Sequence, residues 1–160
     1  MIRNIHEREY PVDPARLGEL LDRVAEPDSP LWPVDSWPPM ILDRPLGVGA
    51  DGGHGPIRYR CTGYEPGRRV EFRFTWPAVD GTHTLEVIGG TLRHTLRARL
   101  RGTGRLLWPL MFRWLHDACL EDLLDRAGDS LGHPPATRTR WSPWVRLLRR
   151  LAPRAPALSR

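Results

Sequence analysis

Three histidines occupy positions where the sequence pattern calls for a hydrophobic side chain, and an imidazole placed there can hold a ligand or transfer a proton. His83 shares the parity of Leu85 on one predicted strand, and His94 shares that of Leu96 on the next. His116 falls on the apolar stripe of a predicted helix. A buried polar group without a partner costs about 1–3 kcal/mol. Each ring therefore needs a hydrogen-bond partner, a ligand or contact with water.

Two interpretations of these imidazoles stay open at the level of the sequence. In the first, each ring is a polar anchor in an apolar pocket, where it holds a carbonyl or hydroxyl group or moves a proton. The catalytic candidates are then His94 and His83, with Tyr59 as an alternative partner for His94. In the second, each ring is a core histidine whose nitrogen is satisfied by a backbone carbonyl or a tyrosine. The sequence offers no convergent acid–base pair, so it defines no catalytic residue.

A three-histidine metal site is a further interpretation, because imidazole suits zinc and iron. The histidines contain no HxH or HxxxH element, however, and Cys61 and Cys119 are far apart and form no CxxC pair. We therefore expect no metal and no cofactor. Both cysteines fall on apolar faces, which indicates buried thiols rather than a disulfide framework.

Other chemistries are not indicated. The segment GADGGHG has the glycines of a phosphate loop, but it lacks the Lys and the Ser or Thr and leads into a strand. We interpret it as an ordinary turn, or alternatively as a flexible cover with His54 at a pocket rim. The long helix carries acids at Asp117, Glu121 and Asp125, which we expect on its solvent face, so a pair of catalytic carboxylates is not predicted.

The periodicity of hydrophobic residues defines the elements that must position these side chains. Strands are expected at residues 2–10, 40–44, 56–64, 70–76, 82–87 and 92–101, with short turns that make the later neighbours antiparallel. The first strand alternates poorly, which favours a sheet edge. A short helix is expected at residues 13–27 and a long one from Gly104 to Gly132, with Pro109 near its start or at a kink.

The length of the second helix suggests how the elements assemble. It would span roughly 40 Å at 1.5 Å per residue, whereas six or seven strands form a sheet only about 30 Å wide. One helix can therefore cross the whole sheet. A curved sheet around a single helix tends to enclose a cavity, and cavities of this kind bind small apolar molecules.

Several segments resemble bacterial proteins of the SRPBCC superfamily whose function is unassigned. These segments are LWPVDSWPPM, GGHGPIRY, EPGR, VEFRF, DGTH, LRHTL and WPLMFRWLHDACLEDLLDRA. The superfamily includes START lipid-transfer domains, birch-pollen-allergen-like proteins and polyketide cyclase/dehydrase proteins. The resemblance covers residues 1–132 and implies an α+β helix-grip fold, with a pocket between the concave sheet face and the long helix. It transfers no catalytic residue, because members share a pocket rather than one catalytic signature.

Residues on the inward parity of the strands and on the apolar stripe of the long helix are the candidates for lining this pocket. The predicted ligand-binding set is Tyr59, Cys61, Phe72, Phe74, Trp76, His83, Leu85, His94, Leu96, Met111, Leu115, His116 and Leu120. Plain core packing is the alternative interpretation for most of them.

The charge of the chain is concentrated in its last residues. Residues 138–160 contain seven arginines and no acid, whereas residues 1–137 have 17 arginines against 19 acids. The overall charge of +5 therefore does not predict a nucleic-acid partner for the domain. We expect the tail, residues 133–160, to be partly disordered or to form a short amphipathic helix. Residues 141–151 could then make a weak contact with a membrane surface or a protein.

The N-terminal segment MIRNIHEREYP lacks the apolar stretch of a signal peptide, which predicts a cytoplasmic protein. Three functions remain open. The favoured one is a carrier or binding protein for a small hydrophobic molecule, such as a lipid, a polyketide or an aromatic metabolite. The alternatives are a cyclase or dehydratase on a polyketide-like substrate, and an interaction module that acts through the basic tail.

Overall fold

The computed structural model describes residues 1–151 as a single sheet with helices on one face. The strands are β1 (Ile2–Glu9), β2 (Met40–Leu42), β3 (Asp51–His54), β4 (Ile57–Glu65), β5 (Arg69–Phe74), β6 (Val79–Ile88) and β7 (Thr91–Leu100). The helical segments are α1 (Pro14–Asp22), α2 (Gly104–Leu107), a π-turn (Trp108–Phe112), α3 (Arg113–Leu131) and α4 (Pro143–Leu151). The predicted α+β helix-grip fold is confirmed.

The seven strands follow the order β1-β7-β6-β5-β4-β3-β2, and every neighbouring pair is antiparallel. Tight turns join β3 through β7, which is why these strands pair with their sequence neighbours. The first strand instead pairs with β7, with Ile2 opposite Ala98 and His6 opposite His94. The predicted edge position of β1 is confirmed.

The strand β3 was not predicted, because the sequence DGGH shows no alternation of hydrophobic residues. Its glycines allow close approach of neighbouring backbones. A Cβ at Gly52 would lie 2.0 Å from the carbonyl oxygen of Ile41 on β2, and one at Gly53 would lie 1.9 Å from that of Ile57 on β4. The prediction of a turn for this segment was therefore wrong for residues 51–54, whose glycines are required by sheet packing.

The long helix extends over residues 104–131, close to the predicted bounds, and is interrupted at Pro109. Proline has no N–H to donate and crowds the preceding turn. The chain accommodates it with one π-turn, in which the N–H of Arg113 bonds to the carbonyl of Trp108 five residues earlier. The helix then continues to Gly132, whose left-handed conformation (φ 80°) ends it.

The hydrophobic core lies between α1, α3 and the concave sheet face. Tyr59, Phe72 and Leu92 contribute to it from the sheet, and Leu123 and Leu124 from the long helix, all with 1% or less of their surface exposed. Both cysteines are buried free thiols, as predicted. No helix among residues 1–151 is both long enough and apolar enough to cross a bilayer.

The tail is ordered through α4, which lies against the body of the protein. Arg149 stacks over the indole of Trp37 at 4.5 Å and donates to the carbonyl of Ser36, while Val145 is buried. The indoles of Trp37 and Trp141 both donate to Asp122 of α3, at 2.7 and 2.9 Å. Of the two structures predicted for the tail, residues 143–151 adopt the short helix, and residues 152–160 lie outside the described part of the chain.

We predict that Gly18→Ala destabilises the protein although alanine favours helices. Alanine in place of glycine improves helix propensity by about 1 kcal/mol. A Cβ at Gly18 of α1, however, would lie 2.5 Å from the carbonyl oxygen of Gly67, in the β4–β5 turn. Backbone atoms cannot move aside cheaply, so we expect a net loss of roughly 1–3 kcal/mol in the free energy of unfolding, measured by urea denaturation.

The matched control is Gly47→Ala, where the nearest atom to the added Cβ would be 3.9 Å away and the backbone is not left-handed. It should change the free energy of unfolding by less than about 0.5 kcal/mol. A Gly18→Ala variant as stable as the wild type would show that α1 does not dock on the turn as described.

Candidate functional site

A row of aromatic and imidazole rings crosses the concave face of the sheet. From β3 to α3 it runs through His54, Tyr59, His83, His94 and His116, and the successive ring centroids lie 5.6, 4.8, 5.6 and 5.0 Å apart. The four strand residues point to the same face because strand side chains alternate and the register aligns them. His116 meets them from α3, which packs on that face. The structure thus brings together the three histidines that the sequence singled out and adds His54 to them.

Four of the eight imidazole nitrogens in this row are buried without a polar partner in the described part of the chain. His83 Nε2, His94 Nδ1 and both ring nitrogens of His116 are buried without a hydrogen bond to any of residues 1–151. An exception is His54, whose Nδ1 lies 3.0 Å from the hydroxyl of Tyr59. The expected partners of a structural histidine, a carbonyl or a tyrosine, are therefore not supplied to His83, His94 and His116.

Burial sets the charge state of the row. Loss of hydration lowers the pKa of His54 to about 4, and it lowers the pKa values of His83 and His94 well below the ordinary value. Neighbouring imidazoles act in the same direction, because two close rings resist being charged together. At neutral pH these rings are neutral, so each offers one donor and one acceptor to a molecule beside it.

A ladder of polar contacts joins β1 to α3 beside this row. Asn4 donates to Asp117 at 2.9 Å, His6 lies 3.1 Å from Asp117 and 2.7 Å from Glu121, and Arg8 donates to Glu121 at 3.1 Å. The ladder continues as Arg8 donates to Asp125 at 2.5 Å.

The prediction that Asp117, Glu121 and Asp125 face solvent was therefore wrong. Two residues of a strand advance about 6.6 Å and four residues of a helix about 6 Å. Alternate residues of β1 therefore have nearly the same spacing as every fourth residue of α3, and each polar side chain of β1 lies beside an acid of the helix. The edge strand β1 covers the side of α3 that carries these acids. A division of the helix into one apolar and one polar face predicts that this side is exposed to solvent. Asp125 retains only 4% of its exposed surface.

Two groups of the ladder have altered acidity. Burial alone would lower the pKa of His6, but its contacts with Asp117 and Glu121 outweigh that effect and raise the pKa. Burial likewise acts to raise the pKa of Asp117, yet the nearby imidazoles of His116 and His6 and the amide of Asn4 lower it well below the usual range. Both shifts favour the ion-paired form, in which a charged His6 lies between the carboxylates of Asp117 and Glu121.

A groove of about 500 Å³ opens at one end of the fold. It is lined by residues at the start of β1, the end of β7 and the segment from α2 to the π-turn, namely Met1, Ile2, Arg99, Leu100, Arg105, Trp108 and Pro109. Its walls are mostly apolar, and its two arginines are exposed. The indole of Trp108 connects it to the ring row, since its centroid lies 5.9 Å from that of His116.

The predicted ligand-binding residues lie inside the fold, and none of them lines the groove. Eight are buried: Tyr59, Cys61, Phe72, His83, Leu85, His94, Leu96 and Leu120. Five are partly exposed: Phe74, Trp76, Met111, Leu115 and His116. The sequence analysis placed Trp108 on the apolar stripe of the helix but did not select it as a ligand-binding residue. It did not select His6 either, because His6 shares its face of β1 with the polar residues Asn4 and Arg8.

Comparison with known proteins places the fold. No family model and no curated protein sequence matches the chain. Norcoclaurine synthase from Thalictrum flavum is 12% identical, with a TM-score of 0.60 over 82% of this chain and 87% of that one. A Thermobifida fusca protein is 18% identical, with a TM-score of 0.59 over 84% of this chain and 98% of that one.

A third similar structure is CalU16 from Micromonospora echinospora, at 16% identity and a TM-score of 0.53 over 94% of this chain and 83% of that one. At these identities the likeness concerns the fold alone. The three similarities extend over at least 82% of this chain and support its helix-grip fold.

We predict that acid destabilises the protein in part through His83. Its folded-state pKa lies below the ordinary value of 6.5, so below about pH 6.5 the unfolded chain binds more protons than the folded one, and stability falls as pH falls. His83→Phe removes this proton uptake and suits the surrounding Tyr59, Phe72 and Phe74, whose rings lie 4.8–5.2 Å away. The loss of unfolding free energy between pH 6.5 and 5 should shrink by up to about 1.4 kcal/mol per pH unit.

Urea denaturation at several pH values provides the measurement. Phe74→Leu serves as the control, because it alters the same ring cluster without removing a titrating group and should lower stability equally at each pH. An unchanged pH slope in His83→Phe would mean that His83 is as readily protonated in the folded state as in the unfolded one.

Proposed function

We propose that the protein binds a small hydrophobic molecule, such as a lipid, a polyketide or an aromatic metabolite, between the sheet and the long helix, and that it acts as a carrier or binding protein. The observation that supports this most directly is the set of unpartnered imidazole nitrogens of His83 and His94 among aromatic rings. A bound carbonyl or hydroxyl would satisfy them and recover the cost of burying them unpaired.

The groove supplies the route to these rings. Trp108 lines it and leads to His116, which lies 5.0 Å from His94 between ring centroids. The intervening π-turn contains no buried residue, and its Leu110 is 61% exposed. A segment with so little buried surface opens at low cost. A ligand therefore enters by displacing the π-turn, with its apolar part against Trp108 and its polar group towards the imidazoles.

One similar structure provides a precedent in the same fold. Norcoclaurine synthase from Thalictrum flavum has been solved in complex with dopamine and hydroxybenzaldehyde, at 11% identity and a TM-score of 0.59 over 84% of this chain and 90% of that one. Both compounds are small aromatic molecules with hydroxyl groups. The fold thus accommodates ligands of the proposed size, and the residues that would select one here are those of this chain.

Binding should depend on Trp108 and on the polar character of His94. We expect members of a panel of long-chain fatty acids, flavonoids and aromatic polyketides to raise the melting temperature of the wild type. Trp108→Ala should weaken them all. His94→Phe should weaken hydroxylated or carbonyl-bearing members about tenfold, as expected for one lost hydrogen bond, and leave apolar members nearly unchanged.

Isothermal titration calorimetry gives the affinities, and Ile88→Ala, which removes an exposed apolar side chain at the end of β6, is the matched control. If no compound of the panel shifts the melting temperature, the binding function is rejected. If a compound is converted, and His94→Phe abolishes turnover while binding persists, the protein is the enzyme of the alternative hypothesis, with His94 as acid or base.

A second candidate function, contact with an anionic membrane, is favoured by a surface that combines exposed apolar and basic side chains. We call it the basic apolar face, and its apolar members are Leu106, Leu110, Trp114, Trp144 and Leu147, each 43–68% exposed. The indole of Trp144 donates to the carbonyl of Leu110 at 2.9 Å, which joins α4 to the π-turn. The face therefore adjoins the groove.

The charge of this face complements an anionic bilayer. Arg105 and Arg113 belong to the same helical segment as Leu106, Leu110 and Trp114, and Arg146 and Arg150 to the same helix as Trp144 and Leu147; all four arginines are exposed. The sequence has no acid in residues 87–116 or 130–160. Apolar side chains that insert at the lipid interface together with arginines near the headgroups are typical of peripheral membrane binding. A carrier that docks in this way would present its groove to the bilayer.

Co-sedimentation tests the membrane contact. The wild type should bind vesicles of phosphatidylcholine and phosphatidylserine but not of phosphatidylcholine alone, and replacing Arg146 and Arg150 by Ala should weaken binding at least tenfold, given about 1 kcal/mol per arginine at the surface. Leu147→Glu should abolish binding. Val48→Glu, at a similarly exposed apolar residue outside the face (69%), should not. Equal binding of all four proteins excludes the proposed face, and capture of a protein partner without vesicle binding would assign it to protein contact instead.

A further inference from the structure

Three side chains with metal-binding atoms meet where β1 crosses α3. One atom each from His6, His116 and Asp117 lies within 4.8 Å of the other two. Asp117 Oδ1 is at the centre, 3.1 Å from His6 Nε2 and 3.7 Å from His116 Nδ1. Donor atoms about 2.1 Å from one ion lie roughly 3.0–3.5 Å from one another in octahedral or tetrahedral geometry. The two distances to Asp117 Oδ1 are close to that range, and the two imidazole nitrogens lie within 4.8 Å of each other.

The polar ladder between β1 and α3 does not by itself account for this cluster. It satisfies His6 and Asp117, which exchange hydrogen bonds with Asn4 and Glu121. It leaves both nitrogens of His116 buried and unpartnered among residues 1–151, although Nδ1 is turned towards the carboxylate. A cation between the three groups would take Nδ1 of His116 as a ligand and so give that nitrogen a partner.

We propose that His6, His116 and Asp117 form a binding site for a divalent first-row transition-metal ion. Two imidazoles and one carboxylate suit iron(II), zinc(II) and their neighbours in the series, whereas calcium and magnesium prefer sites made of oxygen atoms. Sequence patterns did not indicate this site, because the chain contains no HxH or HxxxH element. His6 precedes the other two ligands by more than 100 residues and meets them where β1 contacts α3.

The surrounding groups orient the ligands as outer-shell residues do in metal sites. Glu121 accepts from His6 Nδ1 at 2.7 Å, which leaves Nε2 directed at the proposed ion. Asn4 donates to the carboxylate of Asp117 at 2.9 Å and fixes its position. The ion would take the place of the proton that His6 Nε2 shares with Asp117, and that proton would be released to solvent.

Three protein ligands leave part of the coordination shell of such an ion for water or for a bound molecule. His116 connects the site to the groove, through Trp108 at 5.9 Å, and to His94 at 5.0 Å between ring centroids. A ligand carrying a carbonyl, hydroxyl or carboxylate group could therefore reach the ion. The metal site depends only on residues of this chain and does not require that the proposed organic ligand be correct.

The test is a titration of the chelator-treated full-length protein with cobalt(II) and zinc(II). We expect one ion per chain, a visible ligand-field absorption for cobalt, and its displacement by zinc. Asp117→Asn and His116→Asn should each lower affinity at least about 100-fold. Glu121→Gln should lower it about 10–100-fold, as loss of an outer-shell carboxylate does. His133→Asn, which removes an exposed histidine distant in sequence from the cluster, should bind as the wild type does.

The titration of the wild type decides the question even if a variant fails to fold, which circular dichroism would reveal. Absence of stoichiometric uptake of both ions, or a cobalt spectrum unchanged in His116→Asn, overturns the site. Loss of uptake in His133→Asn would assign the metal to the surface and equally overturns it. Because no organic molecule is present, these results leave the ligand-binding proposal to its own experiment.

Discussion

The contact between β1 and α3 fixes the position of everything else on the concave face. Its side chains match because two residues of a strand and four residues of a helix advance nearly the same distance. Asn4, His6 and Arg8 therefore each meet the next acid along the helix. A helix held only by apolar contacts could slide or rotate on the sheet, whereas paired charges specify one register. That register places His116 beside His94.

The row of rings buries polar nitrogen atoms among aromatic side chains without giving them hydrogen-bond partners. His83 is in contact with Phe72 and Phe74 and behaves in packing as another aromatic ring. Its nitrogen, like that of His94, nevertheless has no partner among the described residues. A purely structural position would be filled better by phenylalanine, since an unsatisfied nitrogen costs about 1–3 kcal/mol. The proposed ligand would supply the partner that packing does not give these nitrogens.

Hydrophobic periodicity in the sequence predicts which residues of a strand or helix face the core. It does not predict contacts between elements that are distant in the sequence. Strand parity correctly placed His83 and His94 in the interior, and the uninterrupted stripe identified the long helix. Parity could not show what lies beside a helix flank, so Asp125 was assigned to solvent although β1 covers it. Parity also could not predict β3, because Gly52 has no side chain and so contributes nothing to a hydrophobic pattern. A glycine is required there because the backbone of β2 lies too close for a Cβ atom.

The π-turn links these features because it lies between the groove and the buried rings. Eight residues of α-helix make about 2.2 turns, so the one extra residue of the π-turn brings Trp108 and His116 to nearly two full turns apart and onto the same face of the helix. Their ring centroids lie 5.9 Å apart. Pro109 makes a regular helix unfavourable at this point, and the resulting π-turn contains no fully buried residue. The irregular turn of the long helix therefore lies directly beside His116, whose two ring nitrogens have no partner among the described residues.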